Sequence, residues 1–308
     1  MKPRVIDLFS GCGGLSHGFM QAGCEVVAFV EWWEPAITTF LKNHPQVIHL
    51  GRDITNVSNE TLLKYKGKVE IIAGGPPCQG FSLAGNRDIG DNRNQLYKEF
   101  LRFVKVIEPK IVLIENVPGL LSMNDSDGEK IINKIITDLI KLEYFTCYKV
   151  LKASNYNVPQ NRERLIIIGI KLDLFPIPSG KKITAIEALA DLPEKESYLN
   201  AHIRFNTTEG ITEKIKKLKQ GERISDKFNC CKQRLYADKP SKTIVTKPIY
   251  IHPIYDRLLT PRELARLQSF PDDFYFCGMK TSMVKQIGNA VPPLMAFEIA
   301  KKLKEALI

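Results

Sequence analysis

What most limits the fold of this chain is a rhythm in its first half: short, β-branched apolar runs alternate with amphipathic stretches. Residues 5–9, 26–30, 69–74, 111–115 and 164–170 read as buried strands. Residues 13–22 read as a helix, and so do residues 131–142, where Ile131, Ile132, Ile135, Ile136 and Leu139 share one side. Strands separated by helices imply an α/β fold with a doubly wound, mostly parallel sheet covered on both faces. The rhythm breaks near Phe175, at Pro176, Pro178, Ser179 and Gly180, and a lysine-rich, less periodic region follows. Helical spacing returns at 261–268 and 293–307. The expected division is a large domain, 1–175 plus 283–308, and a smaller one, 176–282.

The 308 residues, 44% of them hydrophobic, suffice for a large core. The net charge is +10, and residues 178–250 hold 15 Lys/Arg against 9 Asp/Glu. A basic surface of that kind attracts polyanions such as nucleic acid. Seven cysteines without framework spacing argue against a disulfide scaffold, and five scattered histidines argue against a metal site. The N-terminal apolar segment is broken by Asp7 and is too short for a signal peptide, and no run approaches the length of a membrane span. The expectation is a soluble, cytoplasmic protein with no membrane partner.

Asp7-Leu8-Phe9-Ser10-Gly11-Cys12-Gly13-Gly14 sits where a strand passes into a helix. Glycines there permit a tight turn and bring a ligand close to backbone amides. A dinucleotide fingerprint would need a third glycine at position 16, which is Ser16, so the turn departs from a pyrophosphate binder. Glu31 ends the second strand, where a carboxylate can hold a ribose diol. Trp32 can pack on an adenine face, and Asp53 can accept from an adenine amino group.

Gly74-Gly75-Pro76-Pro77-Cys78-Gln79-Gly80-Phe81-Ser82 follows a buried strand, so Cys78 belongs at the carboxyl edge of the sheet, where ligands bind in open α/β folds. Two prolines set the backbone direction ahead of the thiol. Glu115 ends another strand at that edge. Arg162 and Arg164 alternate with Glu163, which can put both guanidinium groups on one face. These groups suit one difficult reaction. Carbon 5 of cytosine is a poor nucleophile until a thiolate adds to carbon 6, after which it can take a methyl group from a sulfonium donor. An acid at ring nitrogen 3 and a cation at the carbonyl oxygen stabilise the displaced charge.

The same segments carry a resemblance. In order, the chain shows Asp7–Gly14, Glu31-Trp32, Asp53-Ile54, the Pro-Pro-Cys loop, Glu115-Asn116-Val117, and Gln160-Asn161-Arg162-Glu163-Arg164. The blocks at 259–271 and 286–293 complete the set. It resembles the DNA (cytosine-5) methyltransferases over nearly its whole length. The resemblance implies an S-adenosylmethionine-dependent fold that releases S-adenosylhomocysteine. It implies a cofactor site of Phe9, Ser10, Gly11, Cys12, Gly13, Gly14, Glu31, Trp32, Asp53, Ile54, Gly75, Leu96, Asn289 and Ala290. Cys78, Glu115, Arg162 and Arg164 would be catalytic, with Pro77, Gln79, Ser82 and Gln160 at the substrate and no metal. Residues 82–94 would be a mobile loop, the C-terminal helix would pack back on the large domain, and 176–282 would recognise the target. That last region is short by family standards. The implied partner is double-stranded DNA, its target cytosine turned out of the helix. The chain would act as a monomer, with room for a separately acting restriction endonuclease. The alternatives are a tRNA cytosine-5 methyltransferase, a catalytically silent DNA-binding protein, and a nicotinamide-dependent dehydrogenase; Ser16 speaks against the last.

Overall fold

The computed structural model describes residues 2–77, 92–125, 128–170, 175, 178, 180–197, 199–225 and 232–307, with backbone alone at 92–95. In chain order the large part runs β1 (Arg4–Leu8), α1 (Gly14–Gln21), β2 (Glu25–Val30), α2 (Glu34–Asn43), β3 (Ile48–Gly51), α3 (Asn59–Leu63), β4 (Ile71–Gly74), α4 (Asn92–Ile107), β5 (Ile111–Asn116), α5 (Ile131–Lys141), β6 (Thr146–Lys152), β7 (Gln160–Asn161) and β8 (Glu163–Gly169). The remainder contributes α6 (Ala185–Leu189), α7 (Glu209–Lys216), β9 (Gln233–Arg234), β10 (Ser241–Lys242), β11 (Tyr250–Ile251), α8 (Pro261–Leu267), α9 (Lys280–Asn289) and α10 (Pro293–Glu305).

Seven strands form one sheet in the order β3-β2-β1-β4-β5-β8-β6. The pairs β1–β2, β1–β4, β2–β3 and β4–β5 are parallel, whereas β8 runs antiparallel to both β5 and β6. The chain winds outward from β1 to β3, then crosses back to place β4 on the other side of β1. The carboxyl ends of β1 and β4 therefore frame the switch point at which such sheets open a crevice. Because β8 is antiparallel, its first residues arrive where β5 ends: Asn116 sits opposite Leu165. A segment 49 positions distant in sequence is thus delivered to the crevice.

Alternation along the strands fills both faces. Val5, Ile71, Ala73, Ile111 and Leu113 face a core closed by α1 and α10, while Ile6, Leu8, Ile72, Val112 and Ile114 face one closed by α4 and α5. Gly18 explains how closely α10 lies on α1: a Cβ there would stand 2.4 Å from the Pro293 carbonyl oxygen. A small second region is built around other clusters, among them Ala185, Leu189, Leu235 and Tyr250, and Ile215, Ile251 and Leu258.

Two strands of the sheet were not legible in the sequence. Both β3 and β6 are edge strands, and in β6 only Leu151 is buried, so neither carries the apolar run of an interior strand. Helix α4 begins at Asn92, so the end of the stretch expected as a loop over 82–94 is helical. Among the described residues no helix is long and apolar enough to cross a membrane.

Candidate active site

The turn after β1 is bent by left-handed residues at Phe9 (φ 60), Gly11 (φ 57) and Gly13 (φ 94). Phe9 pays a steric cost in that conformation that a glycine would not, the kind of local strain that collects at ligand sites. The turn exposes the Gly11 amide, which donates to Glu31 Oε2 at 2.8 Å, while the Trp33 amide donates to Glu31 Oε1 at 2.9 Å. Glu31 is buried, and burial raises its carboxyl pKa against the lowering pull of these amides. Each oxygen keeps a lone pair for a further donor. Trp32, beside it, is 68% exposed, far more than a core tryptophan. Asp53 Oδ1 accepts from the Thr55 amide at 2.9 Å, which pins the carboxylate at the head of a short turn.

These groups line a single cavity of about 880 Å³ at the switch point. Its wall includes Phe9, Ser10, Gly11, Cys12, Glu31, Trp32, Asp53, Ile54, Gly75, Pro77, Leu96, Asn289 and Ala290. It also includes Asp7, Trp33, Arg52, Lys285 and Gln286, which the sequence had not singled out as contacts. Lys285 and Gln286 stand one helical turn before Asn289 on α9, a spacing that could have found them. Lys285 Nζ lies 4.5 Å from the centre of the Trp33 ring. Asp7 is fully buried, accepts from Ser16 Oγ at 2.6 Å, and has its carboxyl pushed up to about 7 by burial. Asp7 Oδ1 and Gln286 Oε1 are buried acceptors with no hydrogen-bond partner among the described residues. Buried orphans of this kind call for a donor from a ligand or a water.

The same cavity is lined by Glu115 and Arg164. Arg164 Nε meets Glu115 Oε1 at 2.8 Å, each side chain 14% exposed. A Cβ on Gly75 would stand 2.9 Å from Glu115 Oε2 and displace that carboxylate. Asn116 Nδ2 donates to the Pro76 carbonyl at 3.0 Å, so the end of β5 anchors the peptide that leads into position 78.

Arg162 and Arg164, expected side by side, diverge in use. Arg162 lines the cavity but is 1% exposed, and its two terminal nitrogens donate to the carbonyls of Ile244 (3.2 Å) and Gly288 (3.0 Å). Burial and then Arg164 pull its pKa down to about 9, with Glu115 pulling the other way, and it stays charged at neutral pH. Gln160, expected at the substrate, is fully buried and does not line the cavity. Its Oε1 accepts from the Ile244 amide at 2.8 Å, and its Nε2 donates to the Leu267 carbonyl and to Gln268. Gly13 and Gly14 are also absent from the wall. A Cβ on Gly13 would meet the Phe40 ring at 2.9 Å, and one on Gly14 the Val291 carbonyl oxygen at 2.4 Å, so both glycines serve packing. Cys12 is a buried thiol whose pKa burial pushes up to about 12, the opposite of a reactive cysteine. The expectations for Cys78, Gln79 and Ser82 lie outside the described residues.

Comparison with known proteins gives the family. The profile of the family described as C-5 cytosine-specific DNA methylase matches residues 3–305. The type II methyltransferase M.DdeI of Desulfomicrobium norvegicum is 35% identical, with 97% of this chain and 88% of that protein aligned. M1.HphI of Haemophilus parahaemolyticus is 38% identical, over 98% and 86%. A solved structure described as a DNA modification methyltransferase encoded within an E. coli prophage superposes with a TM-score of 0.85 at 30% identity, covering 99% of both chains. With S. pombe Dnmt2 (TM-score 0.69, 19% identity, 99% of both chains) the likeness is one of fold alone. The chain belongs to the C-5 cytosine-specific DNA methylase family and is a DNA (cytosine-5-)-methyltransferase that uses S-adenosylmethionine.

Proposed function

We propose that the chain methylates a cytosine turned out of duplex DNA, through a covalent bond from Cys78 to the base. One observation carries this reading: a single cavity holds both a carboxylate set for a nucleoside diol, Glu31, and a half-buried acid–guanidinium pair set for a polar ring, Glu115 with Arg164.

The residues of the wall fit S-adenosylmethionine. Glu31 holds the ribose hydroxyls with its free lone pairs, Trp32 covers the adenine, and Asp53 takes the adenine amino group. Phe9, Gly11, Leu96, Asn289 and Ala290 fill the remaining wall, and the orphaned oxygens of Asp7 and Gln286 suit an ammonium donor. When bound, the cofactor supplies an electrophilic methyl group on a sulfonium.

The protein's part is to make carbon 5 nucleophilic. The Cys78 thiolate forms a bond to carbon 6, and the displaced ring electrons move toward nitrogen 3 and the carbonyl oxygen. Glu115 holds a proton against nitrogen 3, and Arg164 donates to the oxygen, so both act where charge develops. After carbon 5 has taken the methyl group its proton passes to solvent water, the nitrogen 3 proton returns to Glu115, and the thiolate leaves as the ring double bond re-forms. Arg162 is a positioning residue: by gripping Ile244 and Gly288 it fixes the start of β8, and with it Arg164. We also propose that the chain divides as 1–175 plus 283–308 and 176–282. It would act as a monomer in a type II restriction-modification system, with a separate endonuclease.

Incubation with tritiated S-adenosylmethionine and either duplex DNA or tRNA tests the reading. It predicts label in cytosine of the duplex; label in tRNA alone, or in neither, contradicts it. The cofactor half has its own test. Glu31→Ala removes two charge-assisted hydrogen bonds to the diol and frees the Gly11 and Trp33 amides, so calorimetry should show S-adenosylmethionine affinity lowered about 100-fold. Unchanged affinity would place the nucleoside elsewhere.

A further inference from the structure

In the small region, Tyr236 is 42% exposed and its ring lies against Gly221. Gly221 (φ 89) packs so closely beneath it that a Cβ would fall 2.2 Å from the Tyr236 hydroxyl. The Ala237 amide donates to Gln220 Oε1 at 2.9 Å, and the Gly221 amide to the Arg234 carbonyl at 2.9 Å, closing the turn from both sides. Lys239 Nζ stands 4.4 Å from the centre of the Tyr236 ring. An ammonium held over an aromatic face is a cation whose position is set before any ligand arrives.

This platform is tied to the cavity through one side chain. Gln233 is buried, donates through Nε2 to the Gly221 carbonyl at 2.6 Å, and accepts from Lys242 Nζ at 3.0 Å. Lys242 lies in β10, which pairs in parallel with β7, the two residues immediately before Arg162. Beyond β10 the backbone of Val245 and Thr246 rests on Gly288, where a Cβ would approach within 2.6 Å, and Gly288 is part of the cavity wall. Lys219, Arg223, Lys239, Lys242 and Lys247 are exposed along this stretch, with Glu222 and Asp238 as the nearby exposed acids.

We propose that the Tyr236–Lys239 platform grips duplex DNA beside the target base, with Lys239 on a backbone phosphate, and that Gln233 holds the platform in register with the cavity. This rests on the reading of the chain as a duplex-DNA methyltransferase. A phosphate contact positions the duplex without reading its sequence, so its loss weakens every substrate alike. An ammonium propped on a ring loses less freedom on binding than an unsupported lysine.

The test measures KM for duplex DNA, kcat and S-adenosylmethionine affinity at several salt concentrations, in the parent, Lys239→Glu, Tyr236→Leu and Lys301→Glu. The last makes the same charge change at an exposed site on α10. Lys239→Glu should raise KM for DNA about tenfold, and the slope of log KM against log salt should fall by about 0.9, the loss of one phosphate contact. Tyr236→Leu keeps the bulk but removes the π face and should raise KM about threefold. The affinity for S-adenosylmethionine should hold in both. Parental KM and salt slope in Lys239→Glu, or an equal change in Lys301→Glu, would overturn the proposal. Absence of methyl transfer to DNA by the parent chain would instead overturn the reading beneath it.

Discussion

A Glu115→Ala chain should transfer methyl groups about a thousandfold more slowly than the parent, with its affinity for S-adenosylmethionine intact. The size of the effect follows from what Glu115 touches. It is paired with Arg164 at 2.8 Å, and its second oxygen sits against Gly75, three positions before Cys78 in sequence. In the proposed mechanism, removing it takes away the group that holds a proton against ring nitrogen 3, and it leaves Arg164 without its carboxylate partner. The loss should appear in kcat, because the interaction strengthens as charge flows into the ring. Arg164→Ala should cost less, about a hundredfold, because one oxygen-directed donor is lost while the acid stays. Single-turnover kinetics with duplex substrate separates the two, and a Glu115→Ala chain with parental kcat would remove the acid from the reaction.

Arg162→Ala should behave differently, as a failure of architecture. The guanidinium is buried and satisfies the carbonyls of Ile244 and Gly288, from segments 82 and 126 residues away in sequence. Truncation leaves two buried acceptors unpaired and a cavity where the side chain was, at a cost of about 3–5 kcal/mol. Denaturant unfolding should show that loss directly, and Arg162→Lys, able to reach one carbonyl at a time, should recover part of it. Parental stability with abolished activity would instead mean that Arg162 touches the base.

The difference between the two arginines shows where reading the sequence stops. Period-2 alternation placed Arg162 and Arg164 on one face, and both do line the cavity. It could not show that one gives both terminal nitrogens to backbone carbonyls, because those carbonyls belong to distant segments that no local pattern connects. Gln160 repeats the lesson: its partners Ile244, Leu267 and Gln268 lie at least 84 positions along the chain. Glu31, Asp53 and Glu115 were legible because each sits at or just beyond a strand's carboxyl end, and the fold brings those ends to one edge. The interior strands β1, β2, β4, β5 and β8 announced themselves through apolar runs buried on both faces. The edge strands β3 and β6 did not, since an edge exposed to water needs no such run. In the glycine turn Phe9, Ser10, Gly11 and Cys12 line the cavity, and Gly13 and Gly14 do not. Gly11 presents its amide to Glu31, whereas Gly13 and Gly14 are small so that Phe40 and Val291 can approach.

The proposed mechanism requires the thiol at position 78 to become bonded to the target cytosine. Bisulfite sequencing of a methylated plasmid identifies the recognised sequence, and a duplex is then made with 5-fluorocytosine at the methylated position. Fluorine on carbon 5 cannot leave as the proton does, so the last step is blocked and the bond from sulfur to carbon 6 persists. Incubation with S-adenosylmethionine, denaturation and peptide mass spectrometry should find the oligonucleotide attached to the peptide containing Cys78, and no attachment in a Cys78→Ser chain. Attachment to another cysteine, or methylation of ordinary cytosine by the Cys78→Ser chain at the parental rate, would contradict the account.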